Sequence, residues 1–425
     1  MRVGVGILGG GTVGGALARK LLDDGPAILG KAGVEFDLVK VAVRDLAKSR
    51  PFPSDLLTDD PAQVIDDERV HLVVELLGGV DPAEELVLRA LRAGKPVVTA
   101  NKELVAARGP ALFSQAAESG VSLLFEAAVG GGIPLIRPLS ESLAGERLTR
   151  VMGIVNGTTN YILSAMDAEE VSYADALARA QALGFAEADP SADVGGGDAA
   201  AKAAILASLA FGVWVGSDRV YKEGIDGLDA IDLAFARQLG YRVKLLAIAE
   251  AVNSGVGVRV HPAMVPEDHP LASVRGAHNA VFIEGPAVGE LLFMGPGAGG
   301  DPTATAVLGD MIDAAREYLS GTQVAPRIRF GPGDVVPFSE IETKLYLRVE
   351  VVDAPGVLAK VAGVFAEHGV SIMSVWQEGH GSDATLLLVT HGALEKNHQG
   401  ALAGLRDLEV VEEIAAVIRV VGAVS

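Results

Sequence analysis

Along the first 130 residues, apolar positions alternate between strand-like runs and helical spacing. Residues 2–8 predict a strand and residues 16–22 a helix, with a glycine-rich turn between them. Further strand-like runs follow over 36–43, 70–77, 95–102 and 122–126, and residues 82–93 have helical spacing. Strands that alternate with helices in this way predict an open parallel sheet, so we expect a doubly wound α/β domain of the Rossmann type.

Between 149 and 330 the strand-like and helical runs follow a less regular order. The apolar pattern predicts strands over 149–155, 256–261 and 279–284, a helix opening at Tyr161, and helices after Asp198 and over 303–318. This mixture predicts an α+β domain built on a mixed sheet.

The pattern restarts at Thr343 after a stretch rich in glycine and proline, residues 330–337. Strands are predicted over 345–352, 371–377, 385–390 and 414–421, with helices that end at Glu367 and lie near 392–406. The order βαββαβ predicts a small ferredoxin-like domain, and the preceding stretch has the composition of a linker.

Composition narrows the class of protein. A chain of 425 residues is long enough for two or three domains. Its formal charge of −20 argues against nucleic acid and anionic membrane surfaces as partners. We predict no membrane segment and no signal peptide, and therefore a cytoplasmic protein. The absence of cysteine excludes disulfides and thiolate metal sites.

The glycines of the first turn are spaced as Gly9-x-Gly11-x-x-Gly14. In a strand–turn–helix context, the first glycine makes the turn and the second lets the backbone approach a pyrophosphate. The third lets the helix close on the strand. We therefore expect the amides of Thr12 and Val13 to face the phosphates of a dinucleotide.

The second strand ends in Arg44-Asp45, with Lys48 and Arg50 beyond it. A cationic Arg44, supported by Lys48, favours the 2′-phosphate of NADP(H), whereas Asp45 keeps NAD(H) possible. Arg50 is a further candidate to support Arg44, and for both Lys48 and Arg50 the alternative is plain solvation in a loop.

Two polar residues, Thr99 and Lys102, close the run 95–102. Because open parallel sheets bind ligands at the carboxyl ends of their strands, we expect both residues at the cofactor. A surface position for Lys102 is the alternative.

Residues 183–202 carry Glu187, Asp189, Asp193 and Asp198 in a loop that runs into an alanine-rich helix with Lys202. Asp198 and Lys202 are four residues apart, so they share one helix face near its start. A lysine at the mouth of a buried helix, faced by carboxylates, suits a proton donor in an amine-binding pocket. A solvated surface ion pair is the alternative interpretation.

Residues 3–320 resemble homoserine dehydrogenases. The resemblance is carried by five motifs in order, over residues 6–14, 97–102, 125–134, 155–163 and 183–202. It implies reduction of L-aspartate 4-semialdehyde by NADPH to L-homoserine and the reverse, in threonine, methionine and isoleucine biosynthesis. With no cysteine there is no thiohemiacetal intermediate, so hydride transfer is direct.

The same resemblance implies roles for individual residues. Lys202 is the expected proton donor, with Lys102 as a second candidate. Glu187 is expected to bind the substrate amino group, while Asp198 binds its hydroxyl or orients Lys202. Thr158, with Thr159 and Asn160, either caps the helix that opens at Tyr161 or binds the substrate carboxylate.

The family also implies a sodium or potassium ion after the strand 122–126. Its ligands would be Glu126, Val129, Gly131 and Ile133, since hard oxygen donors suit such an ion. A turn that merely joins two domains is the alternative. The family further implies that the helix near 303–320 returns to the cofactor domain. We therefore divide the chain into a cofactor domain, 1–130 with 303–320, and a catalytic domain for substrate binding and dimerisation, 131–302. A linker, 321–342, and a C-terminal regulatory domain, 343–425, follow.

The βαββαβ tail resembles an ACT domain, most clearly in Asp353-Ala-Pro-Gly-Val-Leu358. ACT domains pair edge to edge and bind amino acids, which implies an L-threonine effector near Asp353, Gly356, Val357 and Leu358 and a homodimer or homotetramer. A dimerisation domain without a ligand is the alternative. Rival functions for the whole chain are a non-catalytic NADP-binding sensor, another reductase of a small amino-acid aldehyde, and a hydroxyacid dehydrogenase.

Overall fold

The computed structural model describes residues 2–253, 255–321, 327–378 and 384–422. Over the first 148 residues the regular elements are β1 Arg2–Leu8, α1 Thr12–Asp23, α2 Gly25–Ala32, β2 Glu35–Ala42, β3 Leu57–Thr58, α3 Ala62–Ile65, β4 Leu72–Glu75, α4 Ala83–Arg92, β5 Val97–Thr99, α5 Lys102–Ser119 and β6 Leu123–Leu124.

The α-helices and β-strands of the described residues between 149 and 320 come next. They are β7 Arg150–Ile154, α6 Gly157–Glu169, α7 Tyr173–Ala182, α8 Ser191–Val194, α9 Gly197–Phe211, β8 Tyr221–Lys222, α10 Ala230–Gln238, β9 Tyr241–Val252, β10 Gly255–Pro266, β11 His278–Gly285, β12 Gly289–Pro296 and α11 Gly300–Ser320.

The remainder of the chain holds β13 Asp334–Val336, β14 Glu342–Thr343, β15 Leu345–Val351, α12 Val357–Glu367, β16 Ile372–Glu378, β17 Ala384–Thr390, β18 Ala393–Leu394, α13 Glu395–Arg406 and β19 Val411–Val420. None of the helices in the described parts of the chain is long and apolar enough to cross a membrane.

One compact unit comprises Met1–Leu148, Ala204–Asp218 and Glu284–Pro332. Its sheet has six parallel strands in the order β3-β2-β1-β4-β5-β6, which confirms the predicted Rossmann-type architecture. Ile7 of β1 and Leu17 of α1 pack in one core with Val307 and Met311 of α11. The late helix α11 therefore packs on the N-terminal sheet, as the family resemblance implies.

The second unit comprises Thr149–Ala203, Arg219–Ile283 and Gly333–Ser425. Its strands follow the order β11-β7-β9-β10-β19-β15-β17-β16 in a mixed sheet. β9 and β10 form a long antiparallel pair, and the C-terminal βαββαβ elements form the other end of the sheet. The predicted mixed sheet and ferredoxin-like tail are both confirmed.

The C-terminal elements are joined to the middle of the chain through the sheet itself. β19 pairs in parallel with β10 at Ala263–Arg419 and Met264–Val420. β13, which lies in the region predicted as a linker, also pairs in parallel with β10. The sequence pattern predicts two separate sheets here instead of one, because pairing between distant strands leaves no local periodicity.

Candidate active site

Helix α6 starts at Gly157, four residues earlier than the Tyr161 expected from the sequence. Asn156 is the N-cap of α6, and the Oδ1 atom of Asn156 accepts a hydrogen bond from the Thr159 amide at 2.9 Å. Of the two roles predicted for Thr158, Thr159 and Asn160, helix capping is therefore wrong, because all three lie within the first turn of α6. The Thr158 hydroxyl instead donates to the Phe185 carbonyl at 2.7 Å.

Lys202 and Asp198 form a buried ion pair on the first turns of α9. Lys202 Nζ donates to Asp198 Oδ2 and to the Val155 carbonyl, both at 2.7 Å. The two side chains are only 12% and 10% exposed, so the pair is not a solvated surface contact. A carboxylate and a carbonyl that hold one ammonium compensate the cost of burying its charge.

Asn156 connects this ion pair to a second carboxylate. Its Nδ2 donates to Asp198 Oδ2 at 2.9 Å and to Asp193 Oδ1 at 2.7 Å. The side chain is 5% exposed, and its oxygen caps α6 at the same time. Sequence reasoning missed Asn156, although an asparagine directly between a strand and a helix is a typical N-cap signal.

Glu187 and Asp189 lie on the exposed loop between α7 and α8. The carboxylate of Asp189 accepts the Ser191 amide at 3.1 Å, and hydrogen bonds from Ser191 lower the pKa of Asp189. Glu187 has an exposed side chain two residues beyond Phe185, the residue that Thr158 contacts. The loop is thus tied to the first turn of α6 close to Glu187.

The glycine turn after β1 has the shape that a dinucleotide requires. Gly9 has φ 108°, and a Cβ on Gly14 would lie 2.0 Å from the Gly9 carbonyl oxygen. A Cβ on Gly11 would meet nothing within 4 Å, and Gly11 is the N-cap of α1 without a side-chain capping bond. The amides of Thr12 and Val13 in that first turn therefore fit a pyrophosphate.

Of the cationic residues after β2, Arg50 contacts this turn. Arg44 and Lys48 are exposed, and the carboxylate of Asp45 accepts the Ala47 amide at 2.9 Å. Arg50 donates from Nε to the Gly10 carbonyl at 3.3 Å and from Nη1 to the Lys48 carbonyl at 2.8 Å. The Arg50 guanidinium therefore contacts the glycine turn itself and is not merely solvated in a loop.

The carboxyl ends of β4 and β5 are joined by a buried carboxylate, Glu75. The hydroxyl of Thr99 donates to Glu75 Oε2 at 2.5 Å, and the Leu77 amide donates to Oε1 at 2.7 Å. Burial raises the pKa of Glu75. The side chain of Thr99 is fully buried and its hydroxyl is used by Glu75, so the predicted cofactor contact of Thr99 would involve its main chain. Lys102 is the first residue of α5 and is partly exposed.

Glu126 anchors the loop in which cation ligands were expected. Its Oε1 accepts the amides of Leu135 and Ile136 at 2.5 and 2.8 Å, and its Oε2 accepts the Arg137 amide at 2.9 Å. Both carboxylate oxygens thus have amide partners. The Glu126 amide donates to Asp310 on α11 at 2.7 Å, and burial raises the pKa of Asp310 to about 7.

Three family models match the chain. The homoserine dehydrogenase NAD-binding domain matches residues 9–126, the homoserine dehydrogenase domain residues 134–312, and the ACT domain residues 345–403. The homoserine dehydrogenase of Corynebacterium glutamicum is 46% identical over 98% of this chain and 95% of that protein.

The chain belongs to the homoserine dehydrogenase family. It is therefore an NAD(P)-dependent oxidoreductase that acts on a CH–OH group.

Solved structures of this family have the same fold. The homoserine dehydrogenase from Thiobacillus denitrificans matches with a TM-score of 0.94 and 41% identity, over 99% of this chain and 98% of that one. A hyperthermophilic archaeal homoserine dehydrogenase in complex with NADPH matches with a TM-score of 0.62 and 29% identity, over 76% of this chain and 100% of that one.

The ACT domain of this homoserine dehydrogenase has a surface cavity where an effector was expected. Gly356 has φ 89° and is the N-cap of α12. A cavity of about 340 Å³ is lined by the loop 351–358 together with Gln377 and Leu386. The predicted residues Asp353, Gly356, Val357 and Leu358 all lie on its lining.

Proposed function

We propose that this enzyme reduces L-aspartate 4-semialdehyde with NADPH to L-homoserine, and catalyses the reverse, with Lys202 as the proton donor. Bound NADPH supplies the hydride for the aldehyde carbon. Charge that develops on the substrate oxygen then calls for a proton, and Lys202 Nζ is the donor. The observation that carries this proposal is the buried ammonium held at 2.7 Å by both Asp198 and the Val155 carbonyl.

The α-amino and α-carboxylate groups of the substrate need partners of opposite charge. We assign the amino group to Glu187, and the carboxylate to the first-turn amides of α6 around Thr158. Support comes from the hydrogen bond between the Thr158 hydroxyl and the Phe185 carbonyl, which ties these two parts of the chain together. Reduction of NADP⁺ with L-homoserine, followed at 340 nm, tests the reaction directly; a folded protein that binds NADP⁺ without turnover would favour the sensor alternative.

For the coenzyme, we propose a preference for NADP(H) that depends on Arg44 and Lys48. Support comes from Arg50, which lies against the Gly10 carbonyl and gives the turn a third cation. The archaeal relative solved with NADPH also supports it.

Substitution Arg44→Ala is expected to raise KM for NADP⁺ by about 10–100-fold, because a charge-assisted hydrogen bond contributes roughly 1.5–3 kcal/mol. KM for NAD⁺, which lacks the 2′-phosphate, should be unchanged. Arg92→Ala is the matched control, because Arg92 is an exposed arginine on α4 that bonds only Gln115 among the contacts described. An equal rise in KM for both coenzymes would contradict the proposed phosphate contact.

A monovalent cation, sodium or potassium, is proposed at the loop 126–133. Main-chain carbonyls of Glu126, Val129, Gly131 and Ile133 are the proposed ligands, since the Glu126 carboxylate already accepts three amides. Positive φ angles at Gly130 and Gly131, 75° and 57°, support it because they turn successive carbonyls of a tight loop.

When K⁺ or Na⁺ replaces tetramethylammonium in the buffer at constant ionic strength, the unfolding temperature of the protein is expected to rise. The reason is that an ion that binds only the folded state stabilises it. Differential scanning calorimetry measures the effect. An unfolding temperature that is the same in all three salts would rule out the site.

The domain division predicted from the sequence is kept as a proposal, with 1–130 and 303–320 forming the cofactor domain, 131–302 the catalytic domain, 321–342 a linker and 343–425 the ACT domain.

The cavity beside Gly356 supports L-threonine as the effector of the ACT domain. A homodimer or homotetramer is proposed from the resemblance alone, and a cytoplasmic location from the sequence. Rates measured with added L-threonine test the effector, and sedimentation of the pure protein tests the oligomeric state.

A further inference from the structure

Arg419, close to the end of β19, is a buried cation that holds two carboxylates. It is 4% exposed, its Nη1 donates to Glu223, and its Nη2 donates to Glu395 Oε1 at 2.7 Å. Burial alone would lower the pKa of Arg419, but Glu395 and Glu223 raise it overall, so the group stays charged. A buried ion network is costly to form, which makes its position in the fold informative.

Tyr221 is a second partner of Glu223, and its ring lies with that of Phe338 near the Arg419 guanidinium. The rings of Tyr221 and Phe338 stack with centroids 3.9 Å apart, and the Arg419 guanidinium lies 5.7 and 5.4 Å from these centroids. The Tyr221 hydroxyl donates to Glu223 Oε2 at 2.9 Å, and burial raises the pKa of Tyr221 to about 12, so the hydroxyl keeps its proton. Glu223 thus has two partners and little freedom to move.

The backbone that follows Glu223 packs tightly on the loop before α9. The Ile225 amide donates to the Val194 carbonyl at 2.9 Å. A Cβ on Gly224 would lie 2.4 Å from that same carbonyl oxygen, and a Cβ on Gly196 would lie 3.2 Å from the Glu223 carbonyl oxygen. Glycine at both positions lets the two backbones touch, so neither segment can shift without the other.

The loop 194–196 lies between the two carboxylates of the active site. Asp193 precedes it and Asp198 follows it by two residues, and both accept hydrogen bonds from Asn156. Asp198 also holds Lys202 at 2.7 Å. A displacement of this loop therefore changes the position of the proton donor.

We propose that Arg419 is a positioning residue for the reaction: through Glu223 it holds the segment 223–225 against the loop 194–196, and so sets the places of Asp193 and Asp198. Arg419 and its second partner Glu395 belong to β19 and α13 of the C-terminal βαββαβ fold. The C-terminal domain thereby contributes to the geometry of the catalytic loop without touching the substrate. This inference rests on the roles proposed for Lys202 and Asp198.

Two conservative variants test the proposal without removing a whole side chain. Glu223→Gln keeps the size and the hydrogen-bonding oxygen but removes the charge. Arg419→Lys keeps the charge but loses the fork that reaches two carboxylates at once. Each is expected to lower kcat by about 10–100-fold, the cost of a small misplacement of reacting groups, with KM for NADP⁺ unchanged. Each is also expected to speed amide hydrogen exchange in residues 193–198.

Arg348→Met is the matched control. Arg348 is another buried arginine of the same domain, on β15, and it donates to Asp232 of α10 at 2.8 Å and to Glu350 at 3.1 Å. α10 in turn bonds the far end of α6, where Arg237 donates to the Asp167 carbonyl. This variant should lose stability, yet keep its kcat and the exchange rates of residues 193–198.

The combined measurements separate the outcomes. Faster exchange in residues 193–198 together with a lower kcat, in both test variants and not in the control, supports the proposal. Unchanged exchange in these residues overturns it, and so does faster exchange with an unchanged kcat. If the wild type showed no turnover at all, the proposed function would fall, while the exchange rates would still decide whether Arg419 holds the loop.

Discussion

Replacement of Lys202 by alanine is expected to lower the rate of L-homoserine oxidation by NADP⁺ about 10²–10⁴-fold, the range for loss of a general acid–base. The reason is the position of Lys202 Nζ, which is held between the Asp198 carboxylate and the Val155 carbonyl at the first turns of α9. Initial rates at alkaline pH measure the loss, and titration with NADPH, followed by its fluorescence, should show unchanged coenzyme binding.

Lys95→Ala is the control for this prediction. The Lys95 ammonium is also held by main-chain carbonyls, those of Ile65 and Asp67, at 2.5 and 2.9 Å. Its removal should cost stability and leave kcat nearly unchanged. Lys102→Ala decides the alternative that the sequence left open: if that variant loses turnover while Lys202→Ala retains most of it, the proton donor is Lys102.

Substitution Gly14→Ala is expected to weaken NADP⁺ binding at least about 100-fold and to destabilise the fold by roughly 1–3 kcal/mol, the cost of overpacking. The added Cβ would lie 2.0 Å from the Gly9 carbonyl oxygen, so the glycine turn must open. The same turn directs the first amides of α1 toward the pyrophosphate. Isothermal titration with NADP⁺ and chemical unfolding measure the two effects.

Gly15→Ala provides a control in the same helix. A Cβ there would lie 3.7 Å from Pro51, an ordinary van der Waals contact. Alanine also has the higher helix propensity by about 1 kcal/mol, so this variant should bind NADP⁺ normally and be at least as stable as the wild type. Equal losses in the two variants would show that the close approach of Gly14 to Gly9 is not what the cofactor turn needs.

Features that depend on neighbours in the chain could be predicted from the sequence. The strand–turn–helix of residues 2–23, the βαββαβ order of the tail and the placement of Asp198 and Lys202 on one helix face all follow from local periodicity and i,i+4 spacing. The family motifs added the reaction, since they stand in order along most of the chain. These are short-range properties, and the structure confirms the elements they predict.

Only the tertiary structure decided which side chains meet. Asn156 caps α6 and binds both Asp193 and Asp198, residues about forty positions away. Burial of the ion pair between Lys202 and Asp198 and the use of Thr99 by Glu75 likewise depend on segments brought together by folding.

The join of β10 to β19 shows the same limit over a longer separation along the chain, as does the ion pair of Arg419 with Glu223. A local pattern records which face of an element is apolar, but it carries no information about which distant element covers that face. The sequence by itself therefore determined the elements, the family and the chemistry of the candidate residues. The tertiary structure decided their partners, because hydrogen bonds and close packing act over a few ångströms in space and not along the chain.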